Sequence, residues 1–152
     1  MSPRLFRWGM NLWPPFPGAG ITVRHVADDW SEVRVELTAG RFRRNYVNTH
    51  YGGSLFSMTD PFYALMLIHR LGDRYLIWDQ AATIDFVAPG RGRVSAVFSL
   101  TEERIREIET QASAGQKVLP QFDVEIRDKA GELVARVRKT LYVRLKPRYR
   151  QQ

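Results

Sequence analysis

The sequence predicts an α+β domain: one long central helix, wrapped by a curved antiparallel sheet of about five to six strands, with a short helix at the N-terminus. Three observations predict it. Between Ser54 and Leu71, the residues Leu55, Phe56, Met58, Phe62, Leu65, Met66, Leu67, Ile68 and Leu71 cover nearly the whole helical wheel. A helix apolar all round is one buried all round. Around it lie runs with the two-residue alternation of half-buried strands. No repeat, low-complexity tract or linker divides the 152 residues, so 1–152 reads as a single domain.

Residues 4–13 read as a short amphipathic helix with Leu5, Trp8, Leu12 and Trp13 towards the body. Pro14, Pro15 and Pro17 stop it, so 1–18 is a helix with a proline-rich lead-in. Ile21, Val23 and His25 alternate with Thr22 and Arg24, and Val33, Val35 and Leu37 alternate with Glu32, Arg34 and Glu36. Asp28 and Asp29 between these runs supply turn chemistry for a hairpin. Arg41 to Arg44 form a basic loop into Asn45–Gly53. Pro61 kinks or restarts the central helix, with Asp60 suited to cap the second segment.

After Gly72, Tyr75–Val87 reads as a strand, and Pro89-Gly90-Arg91-Gly92 turns into a second, Arg93–Leu100. Thr101 caps a short helix to about Gln111, with Glu102 and Glu103 at its positive end and Gly115 closing it. Phe122, Val124 and Ile126 then alternate with Asp123, Glu125 and Arg127. Asp128-Lys129-Ala130-Gly131 turns into Glu132–Lys146, where Ala135, Val137, Leu141, Val143 and Leu145 share a face. Residues 147–152 are a basic tail.

Composition narrows the function classes. A content of 44% hydrophobic and 26% charged residues is that of a folded globular protein. No apolar run reaches the roughly 18 residues of a spanning helix, and no signal-peptide pattern follows Met1, so a cytoplasmic protein is expected. The absence of cysteine removes disulfides, thiolate metal ligands and a cysteine nucleophile. Three scattered histidines argue against a metal site, and phosphate-loop, dinucleotide, zincin and nucleophile-elbow motifs are absent.

The net charge of +7 arises after Glu132, where Arg136, Arg138, Lys139, Arg144, Lys146, Arg148 and Arg150 meet no acid. Such a strand and tail suit nucleic acid, anionic lipid or a phosphate-bearing ligand, or form a solvated face. No nucleic-acid-reading motif accompanies them, and so short an N-terminal helix is expected to pack on the domain. Nucleic acid and membrane are therefore not the expected partners.

Residues 45–60 read Asn45-Tyr46-Val47-Asn48-Thr49-His50-Tyr51-Gly52-Gly53-Ser54-Leu55-Phe56-Ser57-Met58-Thr59-Asp60. This segment resembles the active-site segment of hotdog-fold acyl-CoA thioesterases of the phenylacetic-acid-pathway and 4-hydroxybenzoyl-CoA groups. Their pattern is an Asn, a His-Gly-Gly six positions on, and an acid nine positions beyond the His. Asn45, Gly52, Gly53 and Asp60 occupy those places without a gap, and Ala88-Pro89-Gly90-Arg91-Gly92 is similar to the turn after the next strand. The resemblance spans roughly residues 20–145 and is closest to a thioesterase-like branch of unassigned function. Tyr51 stands at the motif histidine, with His50 displaced by one, and Asp79 stands where some relatives carry a catalytic Ser or Thr.

The resemblance implies an acyl-thioester substrate, coenzyme A only as part of that substrate, no metal or other cofactor, and active sites formed between protomers of a homodimer or dimer of dimers. Thioester hydrolysis needs a polarised carbonyl, an activated water and a departing thiolate. Gly52 and Gly53, beside Tyr51 and Ser54, would offer backbone N–H groups to the carbonyl oxygen and allow close substrate approach; a tight loop-to-helix turn explains them equally. Asp60, the only acid between Glu36 and Asp73, would be the base or nucleophile, with burial raising its pKa; a helix N-cap is the other reading.

Asn45 would orient water or make a local turn, and His50 would be a base or a structural loop residue. Asp79 and Asp85 share a face by alternation; Asp79 would line the pocket, Asp85 would pair with an arginine, and structural pairing suits both. Arg91 and Arg93 suit the phosphates of coenzyme A or form a solvated hairpin tip. The expected function is acyl-CoA hydrolysis. A non-catalytic acyl-thioester binder and, in a different class, a basic nucleic-acid or membrane module are the alternatives, while dehydratase chemistry lacks its His and acid pairing.

Overall fold

A computed structural model describes residues 1–38, 40 and 43–150. Arg41 and Phe42 of the expected basic loop, and Gln151 and Gln152 of the tail, lie outside the described residues. In chain order the elements are α1 (Pro3–Leu12), α2 (Pro15–Ala19), β1 (Ile21–Val26), β2 (Glu32–Thr38), α3 (Gly52–Ser57), α4 (Phe62–Leu71), β3 (Tyr75–Phe86), β4 (Arg93–Ser99), α5 (Glu102–Ser113), β5 (Gln121–Asp128) and β6 (Leu133–Leu145).

The six strands form one antiparallel sheet in the order β1-β2-β4-β5-β6-β3. The alternation read from the sequence is what the sheet uses: Val33, Val35, Leu37, Val94, Ala96, Phe98, Phe122, Val124 and Ile126 are buried on its inner face. The α3–α4 segment lies in the hollow of the curved sheet and buries Leu55, Phe62, Tyr63, Met66 and Leu67 there. This is the hotdog fold. α5 begins at Thr101, whose hydroxyl accepts from the Arg104 N–H at 3.2 Å, and runs two residues beyond Gln111 to bury Ile105, Ile108 and Ala112. The β5–β6 turn is tied by Asp128 Oδ1, which accepts from the backbone N–H groups of Ala130 and Glu132.

Several expectations are corrected. The central helix restarts at Pro61 as expected, α4 following α3, but Asp60 makes no capping hydrogen bond. The proline-rich lead-in is partly helical, because Pro15 sits in a first turn where its missing N–H is harmless. α1 faces the other way: Phe6 is buried and Met10 packs on the core, while Leu5, Trp8, Leu12 and Trp13 point outward.

In β3 a bulge at Gln80 sets Asp79 opposite Leu141 but Ala81 opposite Thr140. An extra residue reverses the side-chain parity. Asp79 therefore faces inward, whereas Asp85, opposite Arg136, lies on the outer face. Residues 87–92 are no hairpin tip, because β3 pairs with β6 and β4 pairs with β2 and β5. They form a crossover, anchored by the N–H groups of Val87 and Ala88 on the Val134 carbonyl.

The two sheet edges differ. β1 is covered by α1, and the Asn11 amide imitates a neighbouring strand: Oδ1 accepts from Val23 N–H at 2.7 Å and Nδ2 donates to Val23 O at 3.1 Å. The 12-residue β3, carrying exposed Trp78 stacked on Tyr142, has no strand beyond it among the described residues.

Candidate active site

β6 alternates inward at Ala135, Val137, Leu141 and Val143, and Lys139 occupies the same face in the middle of that series. Its side chain is only 1% exposed. A buried ammonium is costly unless it is paired. Here it is paired twice: Nζ lies 3.0 Å from Asp60 Oδ1 and 3.2 Å from Asp79 Oδ1, with the Phe56 ring centroid 5.9 Å away. The Asp60 contact has hydrogen-bond geometry; the Asp79 contact is an ion pair without it, so the buried Asp79 Oδ1 accepts no hydrogen bond among the described residues. Burial pushes the Asp79 carboxyl above its ordinary range and the Asp60 charge adds to this, against the pull of Lys139.

Asp60 itself is not buried. Its side chain is 60% exposed at the rim of a hollow of about 250 Å³ formed with Trp13, Pro15, Phe16, Phe56 and Pro61. The expected desolvation therefore falls on Asp79. Asp60 Oδ2 has no partner among the described residues and is left free for a ligand or water.

The other motif residues gather around a second cleft of about 400 Å³, lined by Asn45, Thr49, His50, Gly52, Phe86 and Gly90 among others. Asn45 holds its own loop together. Its Oδ1 accepts from the N–H groups of Val47 and Thr49 at 3.1 and 3.0 Å, and its Nδ2 donates to Thr49 Oγ1 at 2.8 Å. His50 is buried, with Nε2 3.0 Å from the Gly92 carbonyl, and its own N–H donates to Gly90 O at 2.9 Å. Burial holds the His50 imidazole below its ordinary pKa, opposed by the Gly92 carbonyl and aided by Arg44. His50 thus clamps the crossover to the motif loop.

Gly52 and Gly53 open α3 after Tyr51, and their N–H groups have no acceptor among the described residues. A Cβ on Gly52 would sit 3.0 Å from Phe86 Cζ, and one on Gly53 would overlap the Tyr51 ring. A larger residue at either position would require the exposed Phe86 or Tyr51 ring to move. Ser54 follows inside the same turn, donating its N–H to Tyr51 O at 2.9 Å. On the crossover Arg91 is exposed with no carboxylate partner among the described residues, whereas Arg93 lies 3.6 Å from Glu36.

The structure thus separates the motif into two groups. Lys139, Asp60 and Asp79 lie at one end, and Asn45, His50, Gly52, Gly53 and the 87–92 crossover at the other. Lys139 escaped the sequence reading, although a cation on the core parity of an apolar strand is a readable signal. Among the described residues no cluster of three or more His, Asp or Glu suits a metal ion, and no helix is long and apolar enough to cross a membrane.

Solved structures with this architecture cover nearly the whole chain. Protein PA5026 from Pseudomonas aeruginosa, of unknown function and a probable thioesterase, superposes with a TM-score of 0.83 at 23% identity, covering 96% of this chain and 97% of that one. Thioesterase HI1161 from Haemophilus influenzae gives 0.69 at 12% identity over 95% and 92%. The E. coli PaaI protein from the phenylacetic acid degradation operon gives 0.62 at 19% identity over 95% and 97%. At these identities the likeness establishes the hotdog fold. No curated protein matches the sequence. The family described as a domain of unknown function, DUF4442, matches residues 2–143, and the chain belongs to that family.

Proposed function

We propose that the protein is an acyl-CoA thioester hydrolase that works as a homodimer or a dimer of dimers in the cytoplasm. The observation that carries this reading is Asp60, pinned through one oxygen by a buried ammonium at the rim of a hollow, its other oxygen without a partner among the described residues. The free oxygen of Asp60 takes a proton from water as that water attacks the thioester carbon. The carbonyl oxygen gains negative charge beside the N–H groups of Gly52 and Gly53. The carbon–sulfur bond then breaks, the thiolate leaves and is protonated by Asp60, and a carboxylic acid and free thiol result. Coenzyme A enters as part of the substrate and the steps need no other cofactor.

Asp60 and Gly52 of one chain are separated by on the order of 12 Å along the helical path, too far to grip one thioester. A second copy, docked through the open β3 edge, would bring its own glycine turn to Asp60. The unpaired edge and the exposed Trp78, Phe86 and Val87 beside it support that seam. Arg91, free on the crossover, would receive a phosphate of coenzyme A.

A second reading is favoured by Tyr51, whose ring lies against Gly53 at the motif histidine position. With the carbonyl site covered, the same fold would bind acyl-thioesters without cleaving them. A thiol-release screen over short, long and aromatic acyl-CoAs distinguishes the two. Release above background supports the hydrolase; saturable binding with no release by any substrate overturns it in favour of the binder.

A further inference from the structure

α1 is held to the domain by one face and presents an apolar stripe on the other. Phe6 packs edge-on to Trp30 at 5.0 Å between ring centroids, Asn11 is bonded to both backbone groups of Val23, and Arg7 donates to the Arg24 carbonyl at 3.1 Å. Opposite these anchors, Leu5, Trp8 and Leu12 recur at helical spacing and are 56%, 64% and 58% exposed. A helix already docked and still carrying such a stripe is built to meet a second apolar phase.

Charge decides which one. Residues 1–27 contain no Asp or Glu; of their arginines Arg24 pairs with Glu36 at 2.7 Å and Arg7 is bonded to the Arg24 carbonyl, while Arg4 is exposed with no carboxylate partner among the described residues. The first acids, Asp28 and Asp29, lie in the β1–β2 turn, where Asp29 is occupied by Ser31. Pairing α1 with a second copy of itself would set like charges against each other. An anionic lipid surface would instead receive the exposed Arg4 at the headgroups while Trp8 and the leucines enter the acyl boundary. We infer that α1 is an interfacial helix that seats the folded protein on anionic membrane, lying flat along its roughly 15 Å length. This inference is independent of the hydrolase reading.

Flotation of the full chain with phosphatidylcholine vesicles, with and without about 30% phosphatidylglycerol, tests it. Binding is expected only to the anionic vesicles, and is expected to fall as salt is raised. The triple variant Leu5→Ser/Trp8→Ser/Leu12→Ser alters exposed positions and is expected to keep its circular dichroism while binding about tenfold or more weakly. The Arg148→Ser/Arg150→Ser variant is expected to float as wild type does. Three results would overturn the inference: no flotation of wild type, equal flotation of the triple variant, or loss of binding in the tail variant alone. A triple variant that changes only the sedimentation state would assign the stripe to a second copy and equally overturn it.

Discussion

Lys139 and Asp60 lie 79 positions apart in the chain and meet at 3.0 Å, one buried in the sheet and the other at the rim of a hollow. The pair ties β6 to the break between α3 and α4, and Asp79 joins from β3. Three separate elements thus converge on one ammonium. The arrangement fixes a carboxylate in place where the helix ladder is interrupted and gives it no capping role.

Removing the cation should expose its structural weight. Lys139→Met leaves Asp79 half-buried without a counter-ion, and a loss of about 2 kcal/mol is expected, below the full cost for a buried pair because both carboxylates reach solvent. The double variant Lys139→Met/Asp79→Asn should recover most of it. Urea unfolding at neutral pH measures both, and a silent Lys139→Met would show that the three groups are not coupled.

Asp60 raises the Asp79 pKa through space. Asp60→Asn removes that charge and should bring the Asp79 carboxyl down. Carboxyl-carbon titration by NMR reads the shift; an unchanged or higher value would contradict the shared-cation geometry.

His50 carries a pH signature of known sign. Burial depresses its folded pKa below the ordinary 6.5, so the unfolded chain binds the proton first as pH falls. Its contribution is intact above that value and is lost as pH drops through and below it towards the folded pKa. Thermal unfolding from neutral pH to about pH 5 should therefore show a decline in wild type that is smaller in His50→Gln, which keeps a donor for the Gly92 carbonyl.

Gly90 is closely packed between two buried side chains. A Cβ there would lie 3.0 Å from Val134 Cγ1 and 3.1 Å from His50 Cδ2. Gly90→Ala is expected to destabilise by about 1–3 kcal/mol in urea unfolding, through overpacking of the crossover against the motif loop.

Most of the fold was legible because alternation is local. Val33, Val35 and Leu37, or Phe122, Val124 and Ile126, declare their inner face within a few residues. What escaped is not local. The extra residue at Gln80 shows only against its partner strand, and it moves Asp85 away from the face of Asp79. The Pro-Gly run at 89–92 has the chemistry of a hairpin turn, but the sheet order makes it a crossover. α1 carries apolar residues on two sides, and only the positions of Trp30 and β1 select Phe6 and Met10 over Trp8 and Leu12.

The candidate site was half legible. The spacing from Asn45 to Asp60 pointed to a segment whose residues the structure places at two separate hollows. It could not show that the Asn45 amide is engaged within its own loop, or that burial falls on Asp79 more than on Asp60. Lys139 was discernible as a cation on the inner parity of β6, between Val137 and Leu141.

The central claim is that the free oxygen of Asp60 activates water. Its most direct test is the kcat/KM of Asp60→Asn beside wild type, on the acyl-CoA that wild type cleaves best, with circular dichroism as the control for folding. The expected result is an intact fold and a loss of about 10²–10⁴-fold, the usual contribution of a positioned base. Turnover equal to wild type in the folded variant would contradict the claim and remove Asp60 from the reaction.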